Sequence, residues 1–148
     1  MRLPRMKQIS GFTLIEVLVA VLILSIGFLG VAALQMNALK NNQSASQRSQ
    51  ATILAYFMMD EMRANKDVAT VGQYNIGKTC AAPIADGTLR TNGQVAWFNA
   101  LKINLGNQSA TCGEITCSTA ICLVKVYWDD SRAASGTNTQ FVEIKSVL

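Results

Sequence analysis

An unbroken apolar block lies near the start of the chain. No charged residue occurs from Val17 to Leu39. At about 1.5 Å of rise per helical residue, this block is long enough to cross a hydrocarbon layer of about 30 Å. The pattern therefore predicts a transmembrane helix. Gly27 and Gly30 mark places in it where the helix can loosen or another helix can approach closely.

The helix is expected to continue beyond this block, because neither glycine nor proline interrupts residues 31–71. A polar stretch at residues 41–50 comes first. Apolar residues at helical spacing follow it and indicate one buried stripe: Ala51, Leu54, Ala55, Met58 and Met62. We expect the helix to end near residues 65–67, which gives it a length of roughly 80 Å.

The rest of the chain alternates between irregular and regular patterns. Residues 68–93 are rich in Gly, Thr, Asn and Asp and predict an irregular connection with at most short strands. Residues 95–105 predict a short helix. Residues 121–128 alternate in polarity and predict a strand with one apolar face, and residues 140–147 predict a second strand after the turn-rich residues 129–139. These two strands form a hairpin that we expect to pack, with another strand, on the helix stripe.

The predicted fold class is therefore α+β. We expect a lollipop in which a long helix packs on a small antiparallel sheet held by disulfides. The chain divides into a basic leader (1–11), a transmembrane and assembly helix (12–36), an amphipathic continuation of the helix (37–66) and a head (67–148).

The charge of the chain comes largely from its first residues. The formal net charge is +4, from thirteen Lys and Arg against nine Asp and Glu. Arg2, Arg5 and Lys7 precede the apolar block, so loss of a leader ending at Gly11 would leave the chain nearly neutral. Positive residues before an apolar segment stay on the cytoplasmic side, which puts the head outside the cytoplasm.

Four cysteines lie in the head: Cys80, Cys112, Cys117 and Cys122. An even number of cysteines in an oxidising compartment predicts two disulfides. A zinc site is the alternative, but it usually needs closer pairs and histidine, and the chain has no histidine. Of the three possible connectivities we expect Cys112 with Cys117 and Cys80 with Cys122.

The run GFTLIEVLVAVLILSIGFLG, which begins at Gly11, resembles the class III signal of type IV pilins and pseudopilins. The resemblance implies that a prepilin peptidase cuts between Gly11 and Phe12 and N-methylates Phe12, and that Glu16 serves assembly. A start at Met6 would leave the leader MKQISG, a length typical of the family, so both Met1 and Met6 are candidate start sites. Unlike many major pilins, this chain has no proline in the transmembrane half.

Two further segments resemble the PilV type of minor pilin, the type IV pilus modification protein: ALQMNALKNNQSASQRSQATILAYFMMDEMRANKD, and residues 127–132, YWDDSR. The subgroup implies a complex that initiates the pilus and sits at or near its tip, supporting twitching motility, adhesion or DNA uptake. The implied partners are the prepilin peptidase, other minor pilins, the major pilin and a tip adhesin. The implied location is the bacterial inner membrane with a periplasmic head, then the pilus. A pseudopilin of a type II secretion system is the alternative.

Glu16 is unusual on physical grounds as well. A carboxylate inside a membrane helix costs about 2.5 to 3.5 kcal/mol on insertion scales and usually has a partner. The amine that cleavage creates on Phe12 is a natural partner, and their pairing would set the register of one subunit against its neighbour. The simpler alternative is that Glu16 interacts with the dipole at the helix N-terminus.

Other function classes are less well supported. An ordinary secreted protein could be cut near Val31 and Ala33, but the apolar run exceeds the usual signal peptide and contains Glu16. An enzyme is disfavoured because the chain has no histidine base and no phosphate-binding glycine loop, and no cofactor is expected. Asp129 and Asp130 are expected to form a turn.

Direct nucleic-acid binding is also disfavoured, because the basic residues of the head show no stripe with interleaved aromatic residues. These residues are Lys78, Arg90, Lys102, Lys125, Arg132 and Lys145. Trp97 and Trp128 are better explained as core or interface residues.

Overall fold

The computed structural model of the chain describes residues 11–106 and 109–148. The predicted leader, with Arg2, Arg5 and Lys7, lies outside the described residues apart from Gly11. The chain divides into two compact units, the first ending at Ala38 and the second running from Leu39 to Leu148.

Helix α1 spans Leu14–Ala64, and its first half belongs to the first unit, together with residues 11–13. Every residue from Gly11 to Ala38 is exposed. By length and composition this helix can cross a membrane, as the sequence predicts. The apolar side chains point in all directions around the helix, so a lipid environment or other protein chains must cover them.

In the second unit, the remainder of α1 buries one stripe of side chains. The five predicted residues are all buried, and Met59 joins them. The helix ends at Ala64 and a short helix α2, Lys66–Thr70, follows, which confirms the predicted end.

Helix α3 spans Leu89–Leu105 and begins six residues before the predicted Val95. Thr88 is the N-cap residue, and its side chain accepts a hydrogen bond from the Thr91 backbone N–H. Gly93 therefore lies inside the helix, where a Cβ would come within 3.0 Å of a Glu61 carboxylate oxygen. The glycine suggested a loop in the sequence, but in α3 it leaves room for the Glu61 side chain of α1.

A four-stranded antiparallel sheet completes the second unit, with strand order β1-β2-β3-β4. The strands are β1 (Ile76–Thr79), β2 (Cys112–Ser118), β3 (Ile121–Trp128) and β4 (Gln140–Val147). The predicted hairpin of β3 and β4 is confirmed, with Val124 opposite Ile144. The other two strands supply the additional pairing that we expected.

The core lies between α1, α3 and one face of this sheet. Trp97 and Trp128 are both fully buried, as expected of core residues. The Trp97 indole N–H donates to the Leu54 carbonyl at 2.9 Å, so one hydrogen bond joins α3 to α1 inside the core. The ring of Phe98 packs edge-on against Trp97, with 5.1 Å between the ring centres.

All four cysteines form disulfides, as predicted, but the predicted connectivity is wrong. The pairs are Cys80 with Cys112 and Cys117 with Cys122. Cys112 and Cys117 stand at two points of the same strand, roughly 16 Å apart at about 3.3 Å per residue, which is too far for a disulfide. Cys117 instead lies directly opposite Cys122 in the pairing of β2 with β3.

Candidate processing and assembly site

The predicted cleavage position lies just before α1. Gly11, Phe12 and Thr13 have no regular secondary structure, and the helix begins at Leu14. All three residues are exposed, and the Phe12 side chain is 84% exposed. The peptide bond between Gly11 and Phe12 is therefore not held by helical hydrogen bonds, which leaves it accessible to a peptidase.

Thr13 and Glu16 are brought together at the first turn of the helix. The backbone N–H of Glu16 lies 3.1 Å from the Thr13 carbonyl oxygen and 3.4 Å from the Thr13 hydroxyl oxygen. Thr13 therefore occupies the N-cap position, with Glu16 three residues later. We did not predict this cap, although the spacing Thr-x-x-Glu is the sequence signature of a capping box.

This geometry gives Glu16 two possible roles. Its carboxylate lies in the first turn, where the helix dipole favours negative charge and where a capping residue is placed. It is also exposed at the head of an apolar surface, where it would be costly in hydrocarbon without a charged partner. A capping box needs only a hydrogen-bonding side chain at this position, whereas pairing with an amine needs the charge.

The alternative cleavage position, for an ordinary signal peptidase, lies inside a helix. Val31 and Ala33 lie well inside α1, which continues to Ala64 without a break. Cleavage beside Ala33 would require local unwinding of this helix. The bond after Gly11 needs no such change.

The two predicted turn residues after β3 play different roles. Asp129 is confirmed as a turn former, because its carboxylate accepts a 2.9 Å hydrogen bond from the Ser131 N–H. Hydrogen bonds from Ser131 hold the pKa of Asp129 below its usual value. Asp130 also begins a turn, because its backbone carbonyl accepts a 3.0 Å hydrogen bond from the Ala133 N–H. In addition, Asp130 is buried, and its carboxylate accepts a hydrogen bond from the Ser44 hydroxyl of α1. No local sequence signal identifies this second contact, which joins residues distant in the chain.

The basic residues of the head lie on several different elements and mostly contact neighbouring side chains. Lys78 lies over the ring of Tyr127, 4.2 Å from its centre. Lys125 forms an ion pair with Glu143 at 3.1 Å. These contacts link β1, β3 and β4 across the sheet face that points away from the core.

Tyr127 lies on this outer face, and its surroundings change the pKa of its hydroxyl. Its hydroxyl donates a 2.6 Å hydrogen bond to the Glu114 carboxylate. Partial burial, together with this hydrogen bond, raises the pKa of Tyr127 to about 12. The phenol is therefore neutral under physiological conditions and serves to hold β3 against β2.

Comparison with known proteins identifies the N-terminal segment. Residues 6–32 match the family model described as the prokaryotic N-terminal methylation motif. The match includes Gly11, Phe12 and Glu16 and more than half of the apolar block, and it indicates a type IV pilin-like or pseudopilin-like protein anchored in a membrane. No curated protein and no solved structure matches the chain significantly.

Proposed function

We propose that this chain is a minor pilin of a type IV pilus, in the manner of the PilV type, whose role is assembly and not catalysis. The observation that carries the proposal is the methylation motif at residues 6–32, placed at the start of an apolar helix. The same motif serves a pseudopilin of a type II secretion system, and the experiments below separate the two.

The exposed apolar helix fits a protein that moves from a membrane into a filament. Large side chains such as Leu14 and Leu29 are 86% and 73% exposed. Burial of apolar surface stabilises by about 25 cal/mol per Å², so this helix needs either lipid or the helices of other subunits. The inner membrane supplies the first environment and the pilus the second.

The charge on Glu16 favours the pilus over the membrane. Before cleavage, the first turn of α1 contains no residue of opposite charge beside this carboxylate. In the pilus, the amine of a processed Phe12 on a neighbouring subunit supplies one. At about 4 Å and an effective dielectric constant near 20, the two charges attract by about 4 kcal/mol before desolvation is subtracted.

The head fits a location outside the cytoplasm. Its two disulfides use all four cysteines, and such bonds form and persist in oxidising compartments. The head would meet the other minor pilins, the major pilin and a tip adhesin in the complex that initiates the pilus.

N-terminal mass spectrometry of the protein recovered from membranes tests the processing step. The expected mature chain begins with N-methylated Phe12 and keeps its helix. A chain beginning at Leu34 would contradict the proposal and would favour ordinary secretion.

Identification of co-purifying proteins tests the choice of assembly. Mild extraction of the mature protein, followed by mass spectrometry, should recover pilins and the pilus machinery. Recovery of type II secretion components in their place would overturn the pilus assignment and leave the processing step intact.

A further inference from the structure

We propose that β4 is an interaction surface for a second copy of this chain, with the two β4 strands pairing antiparallel and Ile144 of one copy opposite Ile144 of the other. The contact would join two four-stranded sheets into one continuous sheet. This inference goes beyond the proposed function and does not depend on it.

The first observation is that β4 has an open edge. It is the last strand of the sheet and pairs with β3 along its full length, from Gln140 to Val147. Within residues 11–106 and 109–148, its backbone makes no hydrogen bond to any segment other than β3. An unpaired edge presents a row of N–H and C=O groups that can bind another strand.

The second observation is that β4 lacks most of the features that protect an open edge. It contains no proline or glycine, and its register with β3 has no bulge. Natural edges are usually blocked by proline, by a bulge, by a short strand or by a charged side chain, especially lysine. Only Glu143 and Lys145 are charged in this strand.

The sequence of β4 selects one register for self-pairing. Directly opposite residues in an antiparallel pair project to the same face, so exposed residues must oppose exposed residues. Two such registers use nearly the whole strand. One is centred on Glu143 and places two carboxylates opposite each other. The other is centred on Ile144 and places Glu143 opposite Lys145 of the second copy, twice by symmetry.

The same register also covers exposed apolar side chains. Phe141 and Val147 are 53% and 64% exposed and lie on the same face as the two charged residues. In the register centred on Ile144, Phe141 of one copy is opposite Val147 of the other. One arrangement therefore satisfies both the charges and the apolar ends of the strand.

The existing contacts of the two charged residues are compatible with this pairing. Glu143 already contacts Lys125 of its own sheet, and a carboxylate can accept hydrogen bonds from a second amine. Lys145 has no ion-pair partner in the part of the chain that the structure describes. Lysine on an edge strand ordinarily discourages pairing, but in this register Lys145 attracts Glu143 of the second copy.

The symmetry of the pair decides which copies can meet. Its two-fold axis is perpendicular to the sheet, so the α1 segments from Leu39 to Ala64 that pack on the two sheets run in opposite directions. Subunits of one filament share one direction. If the proposed function holds, the contact therefore links copies of two different filaments.

Charge reversal tests the register in the full-length protein in detergent, with sedimentation velocity over a range of concentrations. We expect wild-type protein to dimerise. E143K and K145E should each weaken the dimer by about tenfold or more, because each creates two pairs of like charges. A mixture of the two variants should recover the dimer, because each supplies the charge that the other needs.

Control variants separate this contact from other associations. K102E changes a charge on α3 and should leave the dimer unchanged. K145Q leaves the contact between Glu143 and Lys125 untouched and should give a dimer weaker than wild type but stronger than K145E. Wild type, K145Q and K145E therefore test the register even where E143K disturbs folding. Monomeric wild-type protein, equal dimers in the K145 series, or a mixture of folded variants that fails to recover would each overturn the proposal.

Discussion

Gly113 sets how closely β2 approaches the core. A Cβ at this position would lie 2.5 Å and 2.6 Å from two ring atoms of Trp97. Real Cβ atoms essentially never approach so closely, and Trp97 is fully buried with its indole N–H bonded to α1. The ring therefore has little freedom to move away, and the strand needs a residue without a side chain.

Gly113→Ala should destabilise the head by about 1 to 3 kcal/mol, the usual cost of overpacking a core. Urea unfolding followed by tryptophan fluorescence measures this directly, because both tryptophans lie in the head. Gly77→Ala is the matched control, since a Cβ there meets nothing within 4 Å. Equal stability of the two variants would show that Trp97 relaxes easily.

Asp86 organises the start of α3. Its carboxylate accepts hydrogen bonds from the Thr88 N–H at 2.9 Å, from the Thr88 hydroxyl at 2.6 Å and from the Thr91 hydroxyl. These hydrogen bonds hold the pKa of Asp86 well below its ordinary value. The charged form is therefore the one that the folded head prefers.

Asp86→Asn should lower stability near neutral pH, and the difference from wild type should shrink in acid. A carboxyl group whose pKa falls on folding stabilises the fold above its unfolded pKa of about 3.9 and loses that contribution as pH falls further. Denaturation midpoints of both proteins at pH 7, 5 and 3 measure the effect. A difference that stays constant across this range would mean that the charge on Asp86 contributes nothing.

The disulfides depend on strand register, which the sequence did not reveal. The alternation of residues 121–128 predicted β3 correctly, but β2 carries both Cys112 and Cys117 and was not predicted as a strand. Once β2 is known, Cys117 and Cys122 flank a tight turn and must be opposite each other. Because Thr79 pairs with Gly113, the next step along both strands brings Cys80 beside Cys112.

The two disulfides should contribute unequally to stability. Their sequence separations are 32 and 5 residues. In the chain-entropy model, closing the longer loop stabilises by about 4 kcal/mol and the shorter by about 2 kcal/mol. Replacement of Cys80 and Cys112 by alanine should therefore cost more than replacement of Cys117 and Cys122.

Urea unfolding of the two double variants gives this comparison, and non-reducing peptide mapping of the wild-type protein checks the pairing itself. A peptide joining Cys112 to Cys117 would contradict the register of β2. A larger loss for the Cys117 and Cys122 pair would show that their packing in the core outweighs loop entropy.

Periodicity predicted the elements that have one strongly apolar face, namely α1, most of α3, β3 and β4. It failed where polar capping or tertiary pairing decides the structure. Helix α3 begins early because Thr88 and Asp86 cap it, in a segment whose composition indicated a loop. The candidate site could be located from Gly11, Phe12 and Glu16 alone, since its signal is local, but the cap by Thr13 was missed.

In the part of the chain that the structure describes, the head has its own buried core, whereas residues 11–38 bury no side chain. Residues 51–62 of α1 bury their stripe in the head, whereas every residue from Gly11 to Ala38 is exposed. Stability of the head and incorporation into a filament therefore depend on different residues. Variants at the start of α1 should change assembly without changing head unfolding.

Substitutions at Glu16 are the most direct test that assembly and head stability depend on different residues. The two possible roles of Glu16 predict different effects when glutamine replaces it. The Thr13 hydroxyl accepts from the backbone N–H of residue 16, which Glu16→Gln retains. Glutamine can also replace glutamate in a capping box, so this substitution removes only the charge. Glu16→Val removes the hydrogen-bonding side chain as well as the charge, and so also relieves a charge that costs about 2.5 to 3.5 kcal/mol in the membrane. Thr13→Val perturbs the cap and keeps the charge.

If Glu16 sets the register by pairing with the Phe12 amine of a neighbouring subunit, Glu16→Gln and Glu16→Val should both be processed and inserted, yet both should be depleted from pili. Thr13→Val should assemble nearly normally, because the cap is worth only about 1 kcal/mol. The measurement is the ratio of processed protein in sheared pili to that in membranes. Normal assembly of Glu16→Gln, with loss only in Glu16→Val and Thr13→Val, would assign Glu16 to the cap and remove its role in register.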